Sequence, residues 1–215
     1  MLQKDGLLAF SVKGVRFLRR CVFIHERYYM YELPLNEPMK FESTPKIQDS
    51  AFEIITTSQR LNELVAQGFD FGIHSIGAKK KLDKGAIMFC IFIGQELACI
   101  HWAAVTREAM NILIKISYEV DFLNNEAYLG WSETNPKYRR LLLSRYNFSE
   151  ERKFLAKMGK TRGRTLVEKS NLASLKGLPK AGGGIYGEGL YLKILWWKSW
   201  KEKSIIQQAG QTQSA

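Results

Sequence analysis

The sequence predicts an α/β fold: a mixed, mostly antiparallel central sheet flanked by helices, with an N-terminal β-hairpin extension. Three observations predict it. Two β-rich runs, 86–93 and 96–105, flank the short turn Gly94-Gln95, the pattern of a hairpin. From Asn124 to Gly182 the pattern reads strand, turn, helix, strand, helix. The chain has 215 residues, 46% hydrophobic and 25% charged, enough for one sizeable domain with its own core.

Composition narrows the setting. The apolar run 86–93 is far too short to span a bilayer, and the N-terminus lacks the pattern of a signal peptide. The spacing of Cys21, Cys90 and Cys99 suits no metal, and buried free thiols in a reducing cytoplasm are the expectation. The formal charge of +11 has three readings: a nucleic-acid surface, attraction for a polyanionic cofactor, or plain solvated surface.

In chain order, Arg16, Arg19 and Arg20 flank Phe17 and Leu18 in a basic lead-in. Residues 21–33 read as a strand pair turning at His25-Glu26-Arg27, and residues 34–50, with three prolines, as a linker. Residues 51–56 are a strand, and Ser58 is placed to cap a helix carrying Leu61, Leu64 and Val65 and ending at Gly68. The hairpin 86–105 follows, with His101 expected as a packed strand histidine. Residues 106–118 are irregular or helical, and residues 120–132 return as a strand. Ser149 is placed to cap a helix ending at Gly159, with Glu150 and Glu151 in its first turn. Residues 164–168 are a strand, 171–181 a helix, 185–195 a final strand or hairpin, and Trp196, Trp197 and Trp200 sit among lysines. The division is an extension at 1–50, a domain at 51–200 and a polar tail at 201–215.

Asn135-Pro136-Lys137-Tyr138-Arg139 follows a strand, and Asn171-Leu-Ala-Ser174 precedes Lys180-Ala181-Gly182. In this order and separation the two segments resemble the GNAT superfamily, the GCN5-related N-acetyltransferases, over about residues 51–195. The first resembles the fourth strand entering the pyrophosphate loop, the second the family's Asn-x-x-Ala…Lys-x-Gly segment. The resemblance implies acetyl-CoA as co-substrate, no metal, and a small-molecule or peptide amine as acceptor. It places the pantetheine arm against Trp131, Ser132 and Thr134 and the pyrophosphate on Arg139, Arg140, Leu141, Leu142, Leu143 and Ser144. Asn171 and Ser174 lie on the cofactor's other side.

The sequence also departs from the pattern. Leu142 stands where the family's loop has its first glycine, and Ser144 where it has the second small residue. The usual proton-donating tyrosine falls at Leu178, which leaves Tyr186 or Tyr191 as substitutes. Glu126 and Glu133 are the candidate catalytic bases, and their odd spacing puts them on opposite sides of an ideal strand. The alternative is a catalytically degenerate module of this fold that binds nucleic acid or another polyanion. The hairpin-like segment 21–33 is expected to add to the sheet edge or to make a homodimer contact.

Overall fold

The computed structural model describes residues 23–37 and 44–205. Eight strands make one sheet: β1 (Phe23–Pro34), β2 (Ser50–Ile55), β3 (Ile87–Ile93), β4 (Glu96–Ala104), β5 (Glu126–Thr134), β6 (Arg162–Glu168), β7 (Gly184–Ile194) and β8 (Trp197–Ser204). Their order across the sheet is β2-β3-β4-β5-β6-β1-β7-β8. Helices α1 (Ser58–Ala66), α2 (Ala78–Asp83) and α3 (Arg107–Leu113) pack on one face. Helix α4 (Leu143–Lys157) packs on the other, and the short α5 (Leu172–Gly177) follows β6.

Strands β2 to β5 form an antiparallel meander. β3 and β4 are buried on both faces, so they read as continuous apolar runs rather than alternating ones. Phe92, Ile100 and Trp102 pack towards α1–α3, and Phe89 and Ala103 towards α4. The α1 cap is Thr57, one residue before the expected Ser58, and its side chain accepts from the Arg60 amide. Residues 107–113 are helical because Thr106 caps them in the same way, through the Ala109 amide.

The expected hairpin at 21–33 is instead a single strand of 12 residues, and His25–Arg27 lie within it. Residues 22–33 contain no Gly, Pro, Asn or Asp to make a turn. β1 is an interior strand, antiparallel to β6 from Tyr28↔Glu168 to Pro34↔Arg162 and to β7 from Phe23↔Ile194 onward. Its end is fastened by the buried Arg152 guanidinium, which donates to the carbonyls of Pro34, Glu37 and Ala181. Cys21 and the basic lead-in lie outside the described residues. At the other terminus, residues 201–204 belong to β8 and pair with β7 rather than forming a tail.

Two boundaries in the middle also move. β5 begins at Glu126, because residues 122–124 form a 3₁₀ turn capped by Asp121. α4 begins at Leu143, and Ser149 is a buried helix residue rather than its cap. The buried stripe of α4 includes Leu143, Asn147, Glu151 and Leu155 at four-residue spacing. Two of those four are polar, so apolar periodicity could not reveal the first turns.

Candidate functional site

β5 and β6 run parallel but pair over only three positions: Glu126↔Arg162, Ala127↔Gly163 and Tyr128↔Arg164. Beyond them β5 stays with β4 and β6 stays with β1. The strands part, and among the described residues the β5 edge from Leu129 to Thr134 faces the gap without a ladder partner. Trp131, Ser132 and Glu133 are correspondingly exposed.

A bulge contributes to this divergence. His101 pairs with Ser132, yet Ala103 pairs with Leu129, so β5 has one extra residue opposite Trp102. The extra residue changes which way the carboxylates point. On an ideal strand Glu126 and Glu133 would face opposite sides. Here Tyr128, two residues after Glu126, packs in the α1–α3 core, and Trp131, two before Glu133, meets His74 at 5.4 Å between ring centroids. Both glutamates therefore face the α1–α3 side.

Their surroundings differ. Glu126 is buried and accepts from Arg164 Nε and Nη2 at 2.8 and 2.6 Å and from the Asp121 amide at 3.0 Å. Glu133 is exposed on the wall of a cavity of about 270 Å³, with Asp70, His74, Glu96 and Asn135. Glu96 is engaged there: it accepts from Lys137 Nζ at 2.5 Å, from Asn135 Nδ2 at 3.2 Å and from the Tyr138 hydroxyl. These bonds fix the 3₁₀ turn Pro136–Tyr138 to the start of β4 and hold the Glu96 carboxyl below its usual range.

Past that turn, Arg140 and Leu142 both adopt left-handed backbone, at φ 68° and 62°. Leu142 is thus in a glycine-like conformation where the resembling pattern has glycine. It precedes α4 as the N-cap residue, and no side chain caps that helix. The amides of Arg145 and Tyr146 both reach the Leu142 carbonyl, and those of Leu143 and Ser144 lead the helix. A helix N-terminus of this kind favours an anion. Arg139 and Arg140 are exposed beside it, Leu141 is half-buried and Leu143 is core. Across the gap, Asn171 caps α5 by accepting from the Ser174 amide at 3.2 Å.

A buried polar layer joins α4 to β4 under this loop. His101 Nδ1 lies 2.9 Å from Glu151 Oε2, and its Nε2 lies 3.2 Å from Ser144 Oγ. Cys99 Sγ sits 3.4 Å from Thr134 Oγ1 and 3.6 Å from Asn147 Nδ2. Burial lowers the His101 pKa, but Cys99 and Glu151 outweigh it and push it up to about 10. Burial raises the Cys99 thiol, and His101, Thr134 and Asn147 overcome that and bring it below its ordinary value. The upward shift favours the imidazolium, the form that donates both to Glu151 and to Ser144 Oγ. Nothing in the sequence marks His101 and Glu151 as partners 50 residues apart.

Tyr186 shares a 2.6 Å hydroxyl contact with Tyr118 and lies under Arg164, and burial raises both phenols. Tyr191 is buried, and Leu178 packs against the α4-side core. Among the described residues, no group of three or more His, Cys, Asp or Glu is placed to hold a metal ion, and no helix is long and apolar enough to cross a membrane.

No protein-family model matches the sequence, and no curated protein matches it. Solved structures do. A tandem GNAT protein from the clavulanic acid biosynthesis pathway superposes with a TM-score of 0.55 at 9% identity, over 81% of this chain and 53% of that one. A GNAT-family acetyltransferase from Colwellia psychrerythraea gives 0.51 at 12% identity, over 80% and 56%. A GCN5-related N-acetyltransferase from Sphaerobacter thermophilus gives 0.50 at 10%, over 90% and 58%. The chain thus spans little more than half the length of these structures. It has the GNAT fold.

Proposed function

We propose that this chain is an N-acetyltransferase that moves an acetyl group from acetyl-CoA to an amine. One observation carries the reading: an unpaired strand edge, Leu129–Thr134, opens beside the N-terminus of α4. An extended amide-bearing arm fits along such an edge, and a pyrophosphate fits a helix N-terminus. Leu142 keeps a left-handed backbone at the start of α4, with its side chain as the cost. Ser144 Oγ, backed by His101, adds a hydroxyl donor, and Arg139 and Arg140 add charge.

The bound thioester supplies the activated acetyl carbon. Glu133 is the base: it takes one proton from the ammonium so that the neutral amine attacks, and as the C–N bond forms and the C–S bond breaks the coenzyme A thiolate leaves and takes up the second amine proton. Glu126 is held by Arg164 and acts as a structural ion pair. The acceptor enters through the cavity beside Glu133, where the Asp70 and Glu133 carboxylates line a wall in a protein of net charge +11, Glu96 being paired with Lys137. That local reversal of sign favours a cationic amine, small or peptidic.

The test is calorimetric titration with acetyl-CoA and with desulfo-coenzyme A, followed by thiol release with a panel of primary amines. Micromolar binding and amine-dependent thiol release are expected. Absence of binding at millimolar cofactor overturns the transferase reading.

A further inference from the structure

The far half of the sheet ends in an apolar tip that the transferase reading does not use. Phe23, Ile194 and Trp197 are paired neighbours across the ends of β1, β7 and β8. Leu195 and Trp196 form the turn between β7 and β8, with Leu195 at φ 55°. All five are large, apolar and exposed: Phe23 39%, Ile194 43%, Leu195 46%, Trp196 85% and Trp197 52%. Isolated exposed apolar residues are ordinary, but five at the ends of three adjacent strands form a patch. As a single short segment, 196–203 has too little apolar surface to hold a membrane. The fold removes that objection by adding Phe23, Ile194 and Leu195.

The charges nearest the tip are positive, and the carboxylate of Glu26 on β1, opposite Tyr191, lies further back. Lys193 and Lys198 are paired directly behind it, and Leu190 to Lys201 contain three lysines and no carboxylate. The sequence just before Phe23 carries Arg16, Arg19 and Arg20. We propose that this tip docks on an anionic lipid surface. Trp196, Trp197, Leu195 and Phe23 would enter the headgroup–acyl boundary, with Lys193 and Lys198 meeting the headgroups. Tryptophan suits that depth because its ring is apolar and its N–H stays wet.

A second copy fits less well. β8 is the sheet edge, but Lys198, Lys201 and Lys203 line it, and an edge so charged resists strand addition. Topology also gives the docking a direction. β1 is antiparallel to β6, and β6 is parallel to β5, so the start of β1 lies at the same end of the sheet as the end of β5. The tip and the cofactor loop therefore open at one end of the sheet, separated by the β5–β6 gap and by the width of β6 and β1. A docked protein holds its loop facing the lipid.

The test uses the full chain with vesicles of phosphatidylcholine alone or mixed with phosphatidylserine. Co-sedimentation should be about tenfold or more stronger with the anionic vesicles. The W196S/W197S variant should lose binding, and K193Q/K198Q should lose the preference for phosphatidylserine. Both should keep a near-wild-type melting temperature, since Trp196, Trp197 and Lys198 are exposed and Lys193→Gln keeps most of the aliphatic stem of a half-buried side chain. No co-sedimentation, or equal binding by W196S/W197S, overturns the proposal. So does a dimer seen by light scattering that the same variant dissolves, or a gel shift with single-stranded nucleic acid in the absence of vesicle binding. None of these readouts depends on acetyl-CoA, so this proposal and the transferase reading fail separately.

Discussion

The two halves of the sheet are held together differently. In β2–β5 each strand pairs with one close in sequence, and the connections are a hairpin and short helical excursions. In β6-β1-β7-β8 the strand β1, from the first 34 residues, pairs with partners about 130 to 170 residues away, as at Tyr28↔Glu168 and Phe23↔Ile194. The first half can form locally. The second closes only once both ends of the chain are present, because long-range pairing must first overcome loop-closure entropy.

A proline in each half sharpens the contrast. Tyr31 is buried and pairs with Thr165 on one side and Ile185 on the other. Tyr31→Pro removes an interior ladder bond and a large core side chain, and is expected to cost well over 3 kcal/mol. Ala51→Pro lies on β2, an edge strand of the sheet, and should cost far less. Urea melts followed by circular dichroism check this. Equal midpoints for the two variants would mean that β1 does not hold the second half together.

The same contrast explains what could be read from the sequence. The hairpin 87–104 was legible because its partners are adjacent and Gly94, at φ 59°, marks its turn. The segment from Asn135 to Arg139 was legible because Pro and Asn state the local turn chemistry. β1 was recognisable as β-forming, but its place was not, since no local pattern names a partner beyond 130 residues. In the site, Glu133 and Glu126 were found as residues, but their shared face was not. The bulge that turns them lies opposite Trp102, and it shows only in the β4–β5 register. His101 and Glu151 escaped for another reason: buried polar residues on a helix break the apolar pattern that marks its inner face.

That buried pair gives the next largest effect. Truncating one member of a buried ion pair leaves the other uncompensated, so His101→Ala or Glu151→Ala should each cost about 3–5 kcal/mol. The double variant H101F/E151L should recover much of it. The His101 pKa is raised from 6.5 to about 10 in the folded state. Its contribution to stability is therefore full below pH 6.5 and lost as pH rises through about 10. Thermal melts between pH 6 and 10 should show a decline that H101F/E151L lacks. A wild-type decline no steeper than the double variant's would remove the imidazolium from under the loop.

The two glutamates on β5 separate structure from chemistry. Glu126→Gln weakens a buried ion pair with Arg164 and should lower the melting temperature. Glu133→Gln leaves an exposed site and should not. For activity the order reverses: Glu133→Gln should reduce kcat about 10²-fold or more, with acetyl-CoA affinity near wild type. If both variants lose stability and keep turnover, the base lies elsewhere along the cavity wall.

The smallest effect concerns Leu142, where the cofactor loop and the folding of α4 meet. A left-handed backbone costs a residue with a Cβ about 1–2 kcal/mol, and glycine avoids that strain. Glycine in turn loses more conformational freedom on folding. The two effects oppose each other, so Leu142→Gly should change stability by about 1 kcal/mol or less, in the stabilising direction because the Leu142 side chain is only half-buried. Its effect on acetyl-CoA binding should be clearer, because the branched side chain no longer stands at the phosphate's point of approach. Tighter binding at unchanged stability would show that the loop keeps its backbone geometry for an anion and has lost only clearance. Unchanged binding would mean that Ser144 and the leading amides of α4 already meet the phosphate without the Leu142 side chain in the way.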